Sequence, residues 1–132
     1  AQPGFYAPGP YVRSEVLLSA HPVMFGYREK FLPVRYANGP LLQAGPAPGD
    51  RPAVPDDPNA PRVIARFVGG AGSVLSGVMR GPDQISNRPM VVDARTGKGH
   101  VLLFANNPIY RWQTFGEHAM VFNALLFWND LD

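Results

Sequence analysis

The chain has 132 residues, 45% of them hydrophobic and 17% charged, with 14 glycines, 15 prolines and no cysteine, a composition that excludes a helical bundle, disulfides, thiolate metal sites and a cysteine nucleophile. The net charge of +2 comes from singly scattered bases, without the concentrated basic face that nucleic-acid binding needs. No apolar run approaches the roughly 20 residues of a membrane span.

A length of this order supports one packed core. Position 1 is Ala with no charged-then-apolar leader behind it, so the chain reads as a processed product or an excerpt. Residues 1–10 form a Pro/Gly-rich extended approach around Phe5 and Tyr6. Alternation over 11–19 predicts a strand, stopped by His21-Pro22. A second strand over 31–36 carries Pro33 and is therefore expected at an edge. Asn38-Gly39-Pro40 is turn chemistry. Between 44 and 61 prolines and aspartates crowd together with one large apolar residue, Val54, which predicts an exposed loop of polyproline character.

Residues 62–68 read as a strand buried on both faces, ended by Gly69, Gly70 and Gly72. Residues 74–79 fit a short strand or a helical turn, closed by Gly81-Pro82-Asp83. The clearest signal is a hairpin of runs 89–93 and 100–105, joined by a 94–99 connection that turns at Gly97-Lys98-Gly99. A final helix begins at Thr114, which with Glu117 makes the capping-box pattern. Val121, Phe122, Leu125, Leu126 and Trp128 give it an apolar stripe expected to lie on the sheet. The expected fold is α+β: a single domain over 1–132, built as a β-rich mixed sheet with a terminal hairpin and one C-terminal helix packed on it.

Little in this pattern carries bond-breaking chemistry. His21, His100 and His118 lie in three different elements, and none has a second ligand at the i+3 or i+4 spacing of a helical zinc site. His21 reads as a structural residue closing a turn, and His118 as a surface or half-buried helix residue. Ser73 and Ser76 lack the G-x-S-x-G elbow, and the glycines at 69–72 complete no phosphate-loop motif. No catalytic residue, metal ligand or cofactor is assigned.

The residues that remain are polar and aromatic and sit between a strand and a helix start: Asn106, Asn107, Tyr110, Arg111, Trp112 and Gln113. Such loops commonly carry ligand groups. Arg111 between two aromatics suits stacking and a forked bond to a carboxylate. The competing reading is that Arg111 and Gln113 satisfy loop carbonyls and tie down the helix entry. Asn107, Tyr110, Arg111, Trp112 and Gln113 are therefore the candidate ligand-binding residues, for a peptide or a glycan, with Thr114, Glu117 and His21 in structural roles.

The run Gly97-Lys98-Gly99-His100-Val101-Leu102-Leu103-Phe104, followed by Asn107-Pro108, Arg111, Gln113-Thr114 and Phe122-Asn123-Ala124-Leu125, resembles the C-terminal end of a subgroup of bacterial secreted zinc carboxypeptidase-like proteins, peptidase family M14. Tyr6-Ala7-Pro8-Gly9, His21-Pro22 with Gly26-Tyr27, Asn38-Gly39-Pro40 and Leu75-Ser76-Gly77 agree in order, so the resemblance spans nearly the whole chain. It departs at Phe115, where the family often has His, and at Asn106 and Asn107.

The resembling region is similar to the class I glutamine amidotransferase fold, which implies a partial amidotransferase-like α/β topology here. It also implies a secreted or periplasmic accessory domain whose partner is its own peptidase domain. The family's H-x-x-E zinc pair and the amidotransferase cysteine have no counterpart in this sequence. An independent peptide- or glycan-binding module is the alternative, and self-association into a homodimer is a further expectation.

Overall fold

A computed structural model describes residues 3–45, 57 and 59–131; most of the expected Pro-rich loop lies outside the described residues. The fold is α+β: a six-stranded antiparallel sheet and one C-terminal helix. The strands are β1 (Tyr11–Val16), β2 (Phe31–Arg35), β3 (Arg62–Phe67), β4 (Val74–Ser76), β5 (Pro89–Thr96) and β6 (Gly99–Phe104), and the helix is α1 (Phe115–Leu126). They run in the order β2-β1-β3-β5-β6, with β4 also on β1, beside the end that β3 leaves unpaired.

Sequence chemistry explains most of this order. Pro33 lacks an N–H, and β2 is indeed the edge strand beside β1, with Pro33 opposite Arg13. The apolar runs of β3 and β5 pair with each other in the sheet interior, and Ile64, Ala65, Phe67, Met90 and Val91 are buried there. The β5–β6 hairpin is tighter than expected: its ladder continues to Thr96 opposite Gly99, leaving only Gly97 and Lys98 in the turn. Gly97 adopts φ 62°, the left-handed geometry that two-residue hairpin turns demand at their first central position. Residues 74–79 resolve as a strand over Val74–Ser76. The first strand stops at Val16, earlier than the alternation suggested, because the chain leaves the ladder so that Leu17 and Leu18 can both donate to the Ile64 carbonyl.

The core holds Tyr36, Phe67, Met24, Ile64, Ile85, Met90 and Met120, with Tyr36 and Phe67 in edge-to-face contact at 5.3 Å. Helix α1 reaches this core through Met120, Glu117 and Asn123, and packs beside a short 3-10 turn at Pro22–Met24.

Two expectations about the helix are overturned. The predicted stripe does not lie on the sheet: Phe122, Leu125, Leu126 and Trp128 are exposed, while the polar Glu117 and Asn123 are buried. The helix is apolar almost all round, so hydrophobicity alone does not choose its inner face. Hydrogen bonds do. Asn123 Nδ2 donates to the carbonyls of Val23 (3.0 Å) and Phe25 (2.8 Å), and Glu117 accepts from the Arg35 amide and from Asn106. Those polar groups have partners only on the inner side.

The capping box is also absent. Thr114 Oγ1 donates to the Pro108 carbonyl (2.8 Å) and accepts from the Tyr110 amide (3.0 Å), so it staples the preceding loop and makes no side-chain cap bond. Glu117 is drawn inward instead of back to the cap.

Replacing Asn123 by Leu keeps the branched shape of the side chain but strands two carbonyls beside the core. A loss of about 1–3 kcal/mol in unfolding free energy is expected, read from urea denaturation.

Candidate functional site

The candidate residues between β6 and α1 form a loop held at both ends. The Asn107 amide donates to the Arg35 carbonyl (2.8 Å), Thr114 staples Pro108 to Tyr110, and the Gln113 carbonyl accepts from the Tyr11 hydroxyl (3.1 Å). The Tyr110 ring lies under the Arg35 guanidinium at 3.6 Å, and Arg111 approaches the same ring at 5.3 Å. Of the five candidates, Arg111, Trp112 and Gln113 face solvent, whereas Asn107 and Tyr110 are half-buried and serve the loop's own architecture.

Arg111 and Trp112 have consecutive positive φ values of 42° and 58°. Non-glycine residues in that region carry strain of about 1–3 kcal/mol each, so the loop staples hold the backbone where it would not rest by itself. Trp112, on this strained backbone, is 81% exposed.

Trp112 begins a continuous aromatic row. Its ring meets Phe115 at 5.7 Å, Phe115 meets His118 at 5.3 Å, and His118 meets Phe122 at 6.3 Å. The His118 Nε2 is buried without a hydrogen-bond partner, so the imidazole acts as one more ring in the row. Leu125 and Leu126 continue the exposed face of α1, and Leu125 and Trp128 line a groove whose other wall is Lys98, His100 and Leu102 of the hairpin. The helix's one acid is buried, so its outward face bears no formal charge.

A second constellation escaped sequence reasoning. Asp93 of β5, 1% exposed by side chain, accepts from Arg62 (2.5 Å), from His21 Nε2 (3.2 Å) and from His100 Nδ1 (2.8 Å). Arg62 also binds the Leu131 carbonyl, fastening the C-terminal segment over the cluster. Burial pushes the Asp93 carboxyl up, but the bonds from His100, Arg62 and His21 together hold it below the usual range.

His21 is neutral by geometry. Its Nδ1 accepts the Val23 amide proton, so only Nε2 carries hydrogen, and that hydrogen points at Asp93. Burial, its largest influence, lowers its pKa against the pull of Asp93. The expected turn-closing role of His21 is thus present, since its ring caps the 3-10 turn at Pro22–Met24. Among the described residues no group of three or more His, Asp or Glu side chains is arranged to hold a metal ion. Here His21 has committed both ring nitrogens inside the protein, and Asp93 is spent on three donors.

Glu117 is the third buried ionisable centre. Burial pushes its pKa up to about 7, against the opposing bonds from Asn106 (2.8 Å) and the Arg35 amide (2.9 Å). Asn106 Oδ1, beside it, is buried without a partner.

The arrangement can therefore stack, bury apolar surface and offer an arginine at its rim. No family model, no curated protein and no solved structure matches the chain.

Proposed function

We propose that this chain is a non-catalytic accessory domain that works by docking, within a secreted or periplasmic zinc carboxypeptidase-like protein of the family it resembles. The observation that carries the docking role is the outward face of α1: Phe115, Phe122, Leu125 and Leu126 are each more than half exposed on a helix that bears no outward charge. Contiguous apolar patches of this kind mark interaction sites. The buried ionisable groups support the same reading. Asp93, His21 and Glu117 spend their hydrogen bonds on the fold, whereas a catalytic acid or base must present itself to a substrate. The peptidase context rests on the resemblance alone.

The purified chain is expected to release no C-terminal residue from peptides, with or without added zinc; zinc-dependent hydrolysis that is lost on chelation overturns the accessory role. A second reading, an independent peptide- or glycan-binding module, is favoured by Trp112, exposed on a strained backbone beside Arg111. It predicts a tryptophan fluorescence change on titration with short peptides or oligosaccharides, weakened at least about tenfold in Arg111→Ala. An unchanged signal leaves the accessory reading.

A further inference from the structure

We infer that the body against which this domain docks is a second copy of itself, through an isologous interface made by the outer edge of β6 and the exposed face of α1. The inference rests on the docking role proposed above and names its partner.

Three observations converge on a self-complementary contact. β6 ends the strand order, and among the described residues no strand pairs with its outer side. Alternation in the β5–β6 ladder, with Ala105 donating to Met90, turns the backbone groups of Leu102 and Phe104 toward that open edge. Natural edges are usually blunted by charge, proline or a bulge. β6 reads Gly-His-Val-Leu-Leu-Phe, without proline or formal acid or lysine, and its pairing with β5 is unbroken in register.

Secondly, the edge and the helix face adjoin. Leu102 of β6 lines the same groove as Leu125 and Trp128, so a body that pairs with the edge also meets the helix side. Two copies joined antiparallel across Leu102 place Leu102 opposite Leu102 and His100 opposite Phe104. The twofold axis of that pairing brings the two α1 helices to the same side of one continuous sheet.

The third observation is size and charge. Trp112, Phe115, Phe122 and Trp128 are 57–81% exposed. At about 150–250 Å² for each whole aromatic side chain they present roughly 600 Å² before the leucines are added. A stable interface takes about 800 Å² from each partner. The outward face of α1 is uncharged, so two copies of the helix meet there without like charges, and Lys98 in the groove wall is the nearest formal charge among the groove-lining residues.

The test is sedimentation equilibrium of the chain from low to high micromolar concentration, with amide hydrogen exchange on the same samples. Expected is a species of twice the 14.4 kDa chain mass, with Leu102 and Phe104 amides that become slower to exchange as concentration rises. Leu125→Asp, on an exposed residue that the fold does not need, is expected to weaken association at least about a hundredfold. It should also release those two amides. A chain that stays at its monomer mass overturns the inference, and so does a dimer indifferent to Leu125→Asp with Leu102 and Phe104 still exchanging fast. Neither result touches the accessory role, which is tested separately by hydrolysis and by the ligand titration.

Discussion

Asp93→Ala is expected to destabilise the fold by about 3–5 kcal/mol, the range for removing one partner of a buried charge cluster. Three donors lose their acceptor at once: Arg62, His21 Nε2 and His100 Nδ1, the two imidazoles being almost fully buried. The Arg62 anchor on the Leu131 carbonyl loosens with them, so the C-terminal segment should lose hydrogen-exchange protection in the same variant. Urea denaturation of Asp93→Ala beside Asp93→Asn checks the argument. Asn retains one acceptor oxygen and should recover part of the loss, whereas a variant within 1 kcal/mol of the parent would show that the cluster is dispensable.

The pH dependence of stability is expected to be the sum of opposing slopes, with Glu117 supplying the largest separable one. Its folded pKa is raised from 4.5 to about 7, so the folded state binds more protons than the unfolded chain between those values. Its contribution is fully present below pH 4.5 and lost as pH rises through 7, a change of about 3 kcal/mol. Asp93 and His21 have lowered folded pKa values. Their contributions are present above the unfolded values of 3.8 and 6.5 and are lost on acidification.

Glu117→Gln isolates the first effect. Its oxygen still accepts from the Arg35 amide, and turning the Asn106 amide over lets the unpartnered Oδ1 accept from the new Nε2. The variant should lie within about 1 kcal/mol of the parent near pH 5 and gain on it by about 3 kcal/mol toward pH 8. Parallel stability profiles of the two proteins across that interval would refute the assignment.

Both effects arise at groups that pattern reading treats poorly. Asp93 stands as the one carboxylate of β5, at the end of its apolar run Pro89–Val92, and once the hairpin register is known His100 falls diagonally beside it, two positions from its opposite number Leu102. His21, at the cap of the 3-10 turn, and Arg62, opposite Asp93 in the β3–β5 ladder, lie far from Asp93 in sequence, and no local spacing connects them to it. Glu117 matched the capping-box spacing to Thr114, a match that local geometry permits and tertiary partners overrode. The candidate loop was legible as a loop with an exposed tryptophan and arginine. That Tyr110 is spent on Arg35 was not.

By itself the sequence determined what depends on near neighbours: the edge place of Pro33, the β5–β6 hairpin with its turn near Gly97, the existence of the terminal helix and the lack of any thiol chemistry. Backbone sterics and side-chain period act over a few residues and can be read there. Only the tertiary structure decided which side of α1 faces inward, because a helix apolar nearly all round is oriented by the few polar groups whose partners, at Val23, Phe25, Arg35 and Asn106, are brought to it by the rest of the fold. That choice buried a glutamate and an asparagine and left Phe115, Phe122, Leu125 and Leu126 facing out.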